Sequence, residues 1–205
     1  MATQQYKTLI LVVTVFLALF TASPAIQRLT IVPQTTHLTE LSILGAYHNA
    51  TYPYNGTIGQ NYPLYIDVDN NLGSFAYYQI EVKFRNQTQS APNSFNQTSS
   101  NLPSLGNISF CVANNEALEL PINVSFFFYF MPDLKNINQL DMKNVILNGF
   151  PLSLSSTTIT WDSQRNGFYG NLFFELWIFN DTTNTFQYDQ RYVSLWLNMT
   201  SPIVS

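Results

Sequence analysis

One cysteine, two histidines and little charge set the first limits on this 205-residue chain. With Cys111 alone, no intrachain disulfide can form, so cohesion has to come from packing and strand pairing. Cys111 lies between apolar neighbours in a strand-like run and reads as a small core or near-core residue. His37 and His48 are the only histidines, and the absence of Cys-X-X-Cys or His-X-X-X-His spacing argues against a zinc site. Asp67-Val68-Asp69-Asn70-Asn71 faintly resembles a calcium loop. It lacks the sixth-position glycine and the closing glutamate, and its aspartates suit the wet face of a strand better. No cofactor or metal is expected. There is no Gly-X-Ser-X-Gly elbow and no phosphate loop. Asp162, Glu175 and Asp189 are the carboxylates that a glycosidase would pair, but nothing in their spacing fixes a separation. The expectation is a protein that is not an enzyme.

Charged residues make up 10% of the chain, against roughly 25% in ordinary globular proteins. The net charge of −4 and the lack of a basic patch point away from nucleic acid and anionic membrane as partners. Hydrophobic residues at 46%, with 16 Phe and 12 Tyr, argue against disorder. Solubility then falls to Asn, Gln, Ser and Thr. A surface that depends little on carboxylates loses little when they are protonated, which hints at an acidic habitat.

The only long apolar run, Leu9 to Phe20, follows Lys7 and precedes the small residues of Thr21–Ala25. It is shorter than the ~20 residues a spanning helix needs, and residues 1–25 read as a secretory signal peptide cut after Ala25. No second run of spanning length follows, so the mature product is expected outside the cell and free of the membrane. Eight Asn-X-Ser/Thr triplets without Pro in the middle begin at Asn49, Asn55, Asn86, Asn96, Asn107, Asn123, Asn180 and Asn198. The 22 Asn and 36 Ser plus Thr would give roughly 4 by chance, so a surface meant to carry N-linked glycans is expected.

The rest reads as strand after strand. Leu64, Ile66 and Val68 alternate with polar neighbours, as do Tyr78, Ile80, Val82 and Phe84, and a turn at Asn70–Gly73 suggests that the two runs form a hairpin. Residues 86–106 form a polar, structureless stretch. Strands follow around Ile108–Val112 and Ile122–Phe130, the second with aromatics on both faces and so covered on both sides. A short helix is placed within Asp133–Lys143. Asn148-Gly149 marks a tight hairpin between Val145–Leu147 and Phe150–Leu154. Thr157–Trp161, Gly167–Phe179 and Phe186–Met199 complete eight to ten strands, which indicates an all-β, immunoglobulin-like β-sandwich over residues 40–205. Trp161, Trp177 and Trp196 are expected in core packing, with sugar stacking as the alternative. Trp196, opposite Leu195 and Leu197, is expected outward or at a subunit contact.

Residues 26–39 stand apart. Ile26, Leu29, Ile31 and Val32 form a β-prone patch, followed by a linker at Pro33–Thr36. The patch reads either as an ordinary first strand or frayed tail, or as a donor strand that fills an open groove in a neighbouring copy. Non-closing head-to-tail contacts of that kind make filaments.

Two resemblances bear on this choice. Thr39–Gly45, Tyr52-Pro53 and Asn55-Gly56-Thr57-Ile58-Gly59 resemble the opening of the extracellular β-domain of an archaeal membrane-protein family, domain of unknown function 1616, over Leu38 to Arg85. That resemblance implies an immunoglobulin-like domain. The chain lacks that family's multiple spans, so membrane embedding is not implied. The layout of signal, arm, all-β head, many glycan triplets and low charge is similar to the subunits of archaeal thread filaments. That similarity implies a glycosylated extracellular filament, or pilus, a homopolymer joined by donor-strand complementation through Ile26, Leu29, Ile31 and Val32, and serving adhesion or cell–cell contact. A monomeric surface lectin or adhesin is the alternative reading, and a secreted acid-tolerant glycosidase the third.

Overall fold

The computed structural model describes residues 6–7, 12–14, 38–131 and 138–200. The chain divides into two units, Met1–Thr36 and His37–Ser205. Within the first, the described residues Tyr6–Lys7 and Val12–Thr14 are helical. Among the described residues no helix is long and apolar enough to cross a membrane. The expected donor strand and nearly all of the expected signal peptide lie outside the described residues.

The second unit is a two-sheet β-sandwich. Its strands are β1 (Thr39–Leu44), β2 (Asn55–Thr57), β3 (Tyr62–Asn70), β4 (Ala76–Arg85), β5 (Gly106–Val112), β6 (Glu116–Met131), β7 (Gln139–Leu147), β8 (Phe150–Thr160), β9 (Tyr169–Asn180) and β10 (Thr185–Thr200). The first sheet runs β1-β3-β6-β7-β8 and the second β2-β10-β9-β4-β5. Every pairing is antiparallel except that of β2 with β10. The period-two rows meet between the sheets: Leu64, Ile66 and Val68 from β3, Val124, Phe126 and Phe128 from β6, Tyr78, Ile80 and Val82 from β4, and Leu172, Phe174 and Leu176 from β9 are all sealed from solvent. This is the all-β sandwich that the alternation predicts.

Several local expectations are corrected. β3 and β4 are not a hairpin, because they belong to different sheets. Alternation reports which face is buried, not which strand lies alongside. Their connection arches across the sandwich and is held by the buried Asn70 amide, whose Nδ2 donates to Ser74 O (2.8 Å) and Val112 O (2.9 Å) while Leu72 N donates to its Oδ1 (3.1 Å). Residues 139–143 of the expected helix are strand, with Gln139–Met142 paired with Phe128–Met131 on one side and Thr157–Thr160 on the other. Phe150–Leu154 and Thr157–Thr160 are one strand, with a register shift against β7. Phe127 and Tyr129 face solvent, so the outer side of β6 is uncovered there. Cys111 is exposed because it lies in the outward row of β5, and Trp161 and Trp196 are also exposed. The Asn148-Gly149 hairpin forms as expected. Both residues are left-handed (φ 51° and 85°), the backbone that a two-residue turn between twisted strands demands.

Candidate functional site

The site starts from an asymmetry between neighbouring strands. On β4 the inward residues Tyr78, Ile80 and Val82 are fully buried. On β5, which has β4 on one side and, among the described residues, no strand on the other, the inward residues Gly106, Ile108 and Phe110 are only half-buried, while Val112 at the end of the row is buried. A strand whose inward row is half-wet borders a space that a further strand would close. Leu120 on β6 and Leu152 on β8 pack against the core from the facing sheet and are half-buried for the same reason.

These residues line an open cleft of about 330 Å³, bounded by Gly106–Ile108 of β5, Leu120–Ile122 of β6, and Leu147, Asn148, Phe150 and Leu152 of the β7–β8 hairpin. Phe150 stands at its mouth, 73% exposed. Gly106 closes one end: a Cβ there would come 3.2 Å from Leu152 Cδ2, so a residue without a side chain lets β5 approach β8. The lining carries no ionisable group. It offers apolar contact and, along β5, a strand edge that pairs with no further strand among the described residues.

Beyond Gly106 the flank is closed by residues 86–105. Leu102, Pro103 and Leu105 meet Phe84, Leu154 and Thr157 there. The same segment crosses to the outward face of the second sheet, where Ser100 is held at both main-chain groups. Its N–H donates to Glu175 Oε1 (2.6 Å), and its carbonyl accepts from Lys83 Nζ (3.1 Å). Lys83 Nζ also lies 2.7 Å from Glu175 Oε2 and 3.1 Å from Glu81 Oε2. Glu175 is fully buried and Lys83 nearly so. The long polar stretch is therefore an anchored strap. Glu81 and Glu175 are direct cross-strand partners, so Lys83 holds together two like charges that would otherwise repel.

A second cavity, of about 510 Å³, lies beside β1. It is lined by Leu38–Leu41, Ser94 and Gln190–Tyr192. It adjoins the β9–β10 irregularity between Tyr188 and Arg191, where Gln190 is left-handed (φ 62°). Within that bulge, burial pushes the Asp189 carboxyl up to about 6, against the opposing pull of Arg191 and Thr39. Arg191 Nη1 stands 3.6 Å from Asp189 Oδ2. The carboxylates considered for glycoside chemistry are thus in structural use. Glu175 is in the sealed ion pair, Asp189 is in a bulge, and Asp162 accepts from Gln164 N and Arg165 N in a turn. Asp67 and Asp69 do occupy the outer face of β3, where burial and the neighbouring carboxylates Asp69, Glu119 and Glu40 raise the Asp67 carboxyl above its usual range. His48 Nδ1 sits 2.7 Å from Glu119, and its ring stacks on Tyr65. Among the described residues no group of three His, Cys, Asp or Glu is placed to hold a metal.

All eight sequon asparagines lie among the described residues, and none is buried. Asn49, Asn55, Asn96, Asn107 and Asn123 are exposed, while Asn86, Asn180 and Asn198 are half-buried. Asn107 borders the cleft. The sequence reading missed the cleft and the Lys83 clamp. Lys83 gave a signal in retrospect, as a lysine in a strand whose same-face neighbours include Glu81. Compared with known proteins, the chain matches no protein-family model and no curated protein.

Proposed function

We propose that this chain is a structural subunit of a glycosylated extracellular filament that grows head to tail by donor-strand complementation. The observation that carries the reading is the half-buried inward stretch Gly106, Ile108 and Phe110 of β5, beside an edge that no other strand pairs with among the described residues. The donor is residues 26–32 of a neighbouring copy. That segment and β5 are both seven residues long, about 23 Å when extended. In an extended strand Leu29 and Ile31 point to one side, and Ile26 and Val32 to the other with Arg28 and Thr30. Leu29 and Ile31 enter the cleft over Leu120 and Leu152, and the main chain pairs with β5. Burying the two side chains contributes about 3–6 kcal/mol before ordering costs. The similarity of the chain's layout to thread-filament subunits supports exchange between copies, and adhesion or cell–cell contact as the role. The chain has no enzymatic role in this reading and needs no cofactor.

The test is assembly of the chain beginning at Ile26, followed by electron microscopy and light scattering. Polymers one head wide are expected. A chain beginning at Pro33 should stay monomeric and should bind a synthetic peptide of residues 26–32. A monomer whose residues 26–32 pair with their own β5 overturns the proposal.

A further inference from the structure

The eight sequons look alike in sequence, and the fold separates them by two independent properties that agree at every position. At the five exposed positions, Asn49, Asn55, Asn96, Asn107 and Asn123, the side-chain Nδ2 donates no hydrogen bond among the described residues; Asn49, Asn55 and Asn107 use only Oδ1, as acceptor. At the three half-buried positions Nδ2 is engaged as a hydrogen-bond donor, part-buried at Asn86 and at the solvent-exposed surface at Asn180 and Asn198. Asn86 Nδ2 donates to Thr158 O (2.8 Å), while its Oδ1 accepts from Thr88 N, Thr88 Oγ1 and Gln89 N, each at 3.0 Å. This one amide ties the end of β4 to β8 in the other sheet. Asn180 Nδ2 donates to Gln187 Oε1 (3.1 Å), and its Oδ1 accepts from Thr182 N (2.9 Å) and Thr183 N (3.3 Å), which closes the β9–β10 turn. Asn198 Oδ1 accepts from Phe168 N (3.0 Å), and its Nδ2 points at Asn55 Oδ1 (3.5 Å), the residue opposite in the β2–β10 pair. A Cβ at Gly167 would collide with Asn198 Oδ1, so the amide is enclosed on that side.

N-glycosylation consumes the group in which the two sets differ. The bond formed is from Nδ2 to C1 of the first sugar. The bond broken is from C1 to the phosphate oxygen of a lipid-linked oligosaccharide, which leaves with the electron pair, and Nδ2 gives up one proton. The acceptor nitrogen has to be reachable, and the folded product has to accommodate a sugar at that atom. We infer that the fold divides the triplets: Asn49, Asn55, Asn96, Asn107 and Asn123 carry N-linked glycans in the mature protein, and Asn86, Asn180 and Asn198 are bare amides with structural work. Asn55 and Asn198 sharpen the division, because their amides meet at 3.5 Å as register partners, so a sugar on one crowds a sugar on the other.

The test is glycopeptide mass spectrometry, site by site, on the full protein purified from its native source. Sugar on more than half of the molecules at each of the five exposed positions, with the other three bare, is the expected result. Sugar on more than half of the molecules at Asn86, Asn180 or Asn198, or its lack at any of the five, overturns the division. A pair of sequon-destroying variants gives a second readout. Thr98→Ala should lower the intact mass by one glycan and leave the Tm in place. Thr88→Ala should leave the glycan mass unchanged and lower the Tm through the lost bond to Asn86. A glycan-sized mass loss in Thr88→Ala contradicts the inference. Strand exchange at β5 is untouched by either outcome.

Discussion

Replacing Lys83 with Met should be among the most damaging single changes in the head, although it swaps one long side chain for another. The cost follows from what stays behind. Glu175 is fully buried, and its carboxylate has two partners, Lys83 Nζ at 2.7 Å and Ser100 N–H at 2.6 Å. Methionine leaves that charge with the Ser100 amide alone and leaves Glu81 directly opposite Glu175 with nothing between them. Breaking a buried pair from one side costs about 3–5 kcal/mol. For a head of this size each kcal/mol lowers the Tm by about 2–4 °C, so a fall of about 6–20 °C is expected in a thermal melt. The partner variants should be milder in a defined order. Glu175→Gln keeps an acceptor for Ser100 and leaves Lys83 paired with Glu81, and Lys83→Met combined with Glu175→Gln should recover part of the loss. That recovery is the coupling energy of the pair. Amide exchange gives a local check, because the Ser100 N–H should lose protection in Lys83→Met before the core strands do. A single-variant loss below about 1 kcal/mol, or no coupling in the cycle, would refute the argument that this pair anchors the strap.

Other outcomes follow from single observations. The folded Asp189 carboxyl titrates near 6 and an unfolded aspartate near 3.9, so the folded head binds this proton more tightly. Its contribution to stability is therefore gained as pH falls through 6 toward 4 and lost as pH rises through 6. Melts across that range should show it, and Asp189→Asn should flatten the change and raise the Tm at neutral pH. Cys111 is exposed on β5, so a thiol reagent should label the native head at one site per chain at close to its rate in denaturant, and Cys111→Ser should leave the Tm unchanged. Gly149 holds φ 85° in the β7–β8 turn, and Gly149→Ala should cost about 1 kcal/mol or more in a denaturant titration.

The parts of this fold that were legible in the sequence are those that a period of two encodes. Leu64–Val68 and Tyr78–Phe84 announced buried rows, and Asn148-Gly149 announced a turn with two left-handed residues, which few dipeptides favour. Pairing between distant segments was not legible, since β3 has no local preference for β1 and β6 over β4; that choice is made by the whole sandwich. Cys111 misled because cysteine is usually buried, and its place in the outward row of β5 appears only once the sheet is known. The strap escaped notice for a related reason. Its polar composition describes a surface segment correctly, and only Lys83 and Glu175, ninety-two positions apart, show where it is fastened. The cleft is the void left where two outer strands diverge, so it has no sequence signature of its own. The sequence offered instead a short apolar arm in search of a groove.

The most direct measurement is a cryo-electron-microscopy reconstruction of the assembly formed by the chain starting at Ile26. The account predicts density for a seven-residue strand hydrogen-bonded along β5, with Leu29 and Ile31 over Leu120 and Leu152, continuous through residues 33–38 with the β1 of an adjacent head. A bare β5 edge, or a strand there that runs into the β1 of the same head, would contradict it.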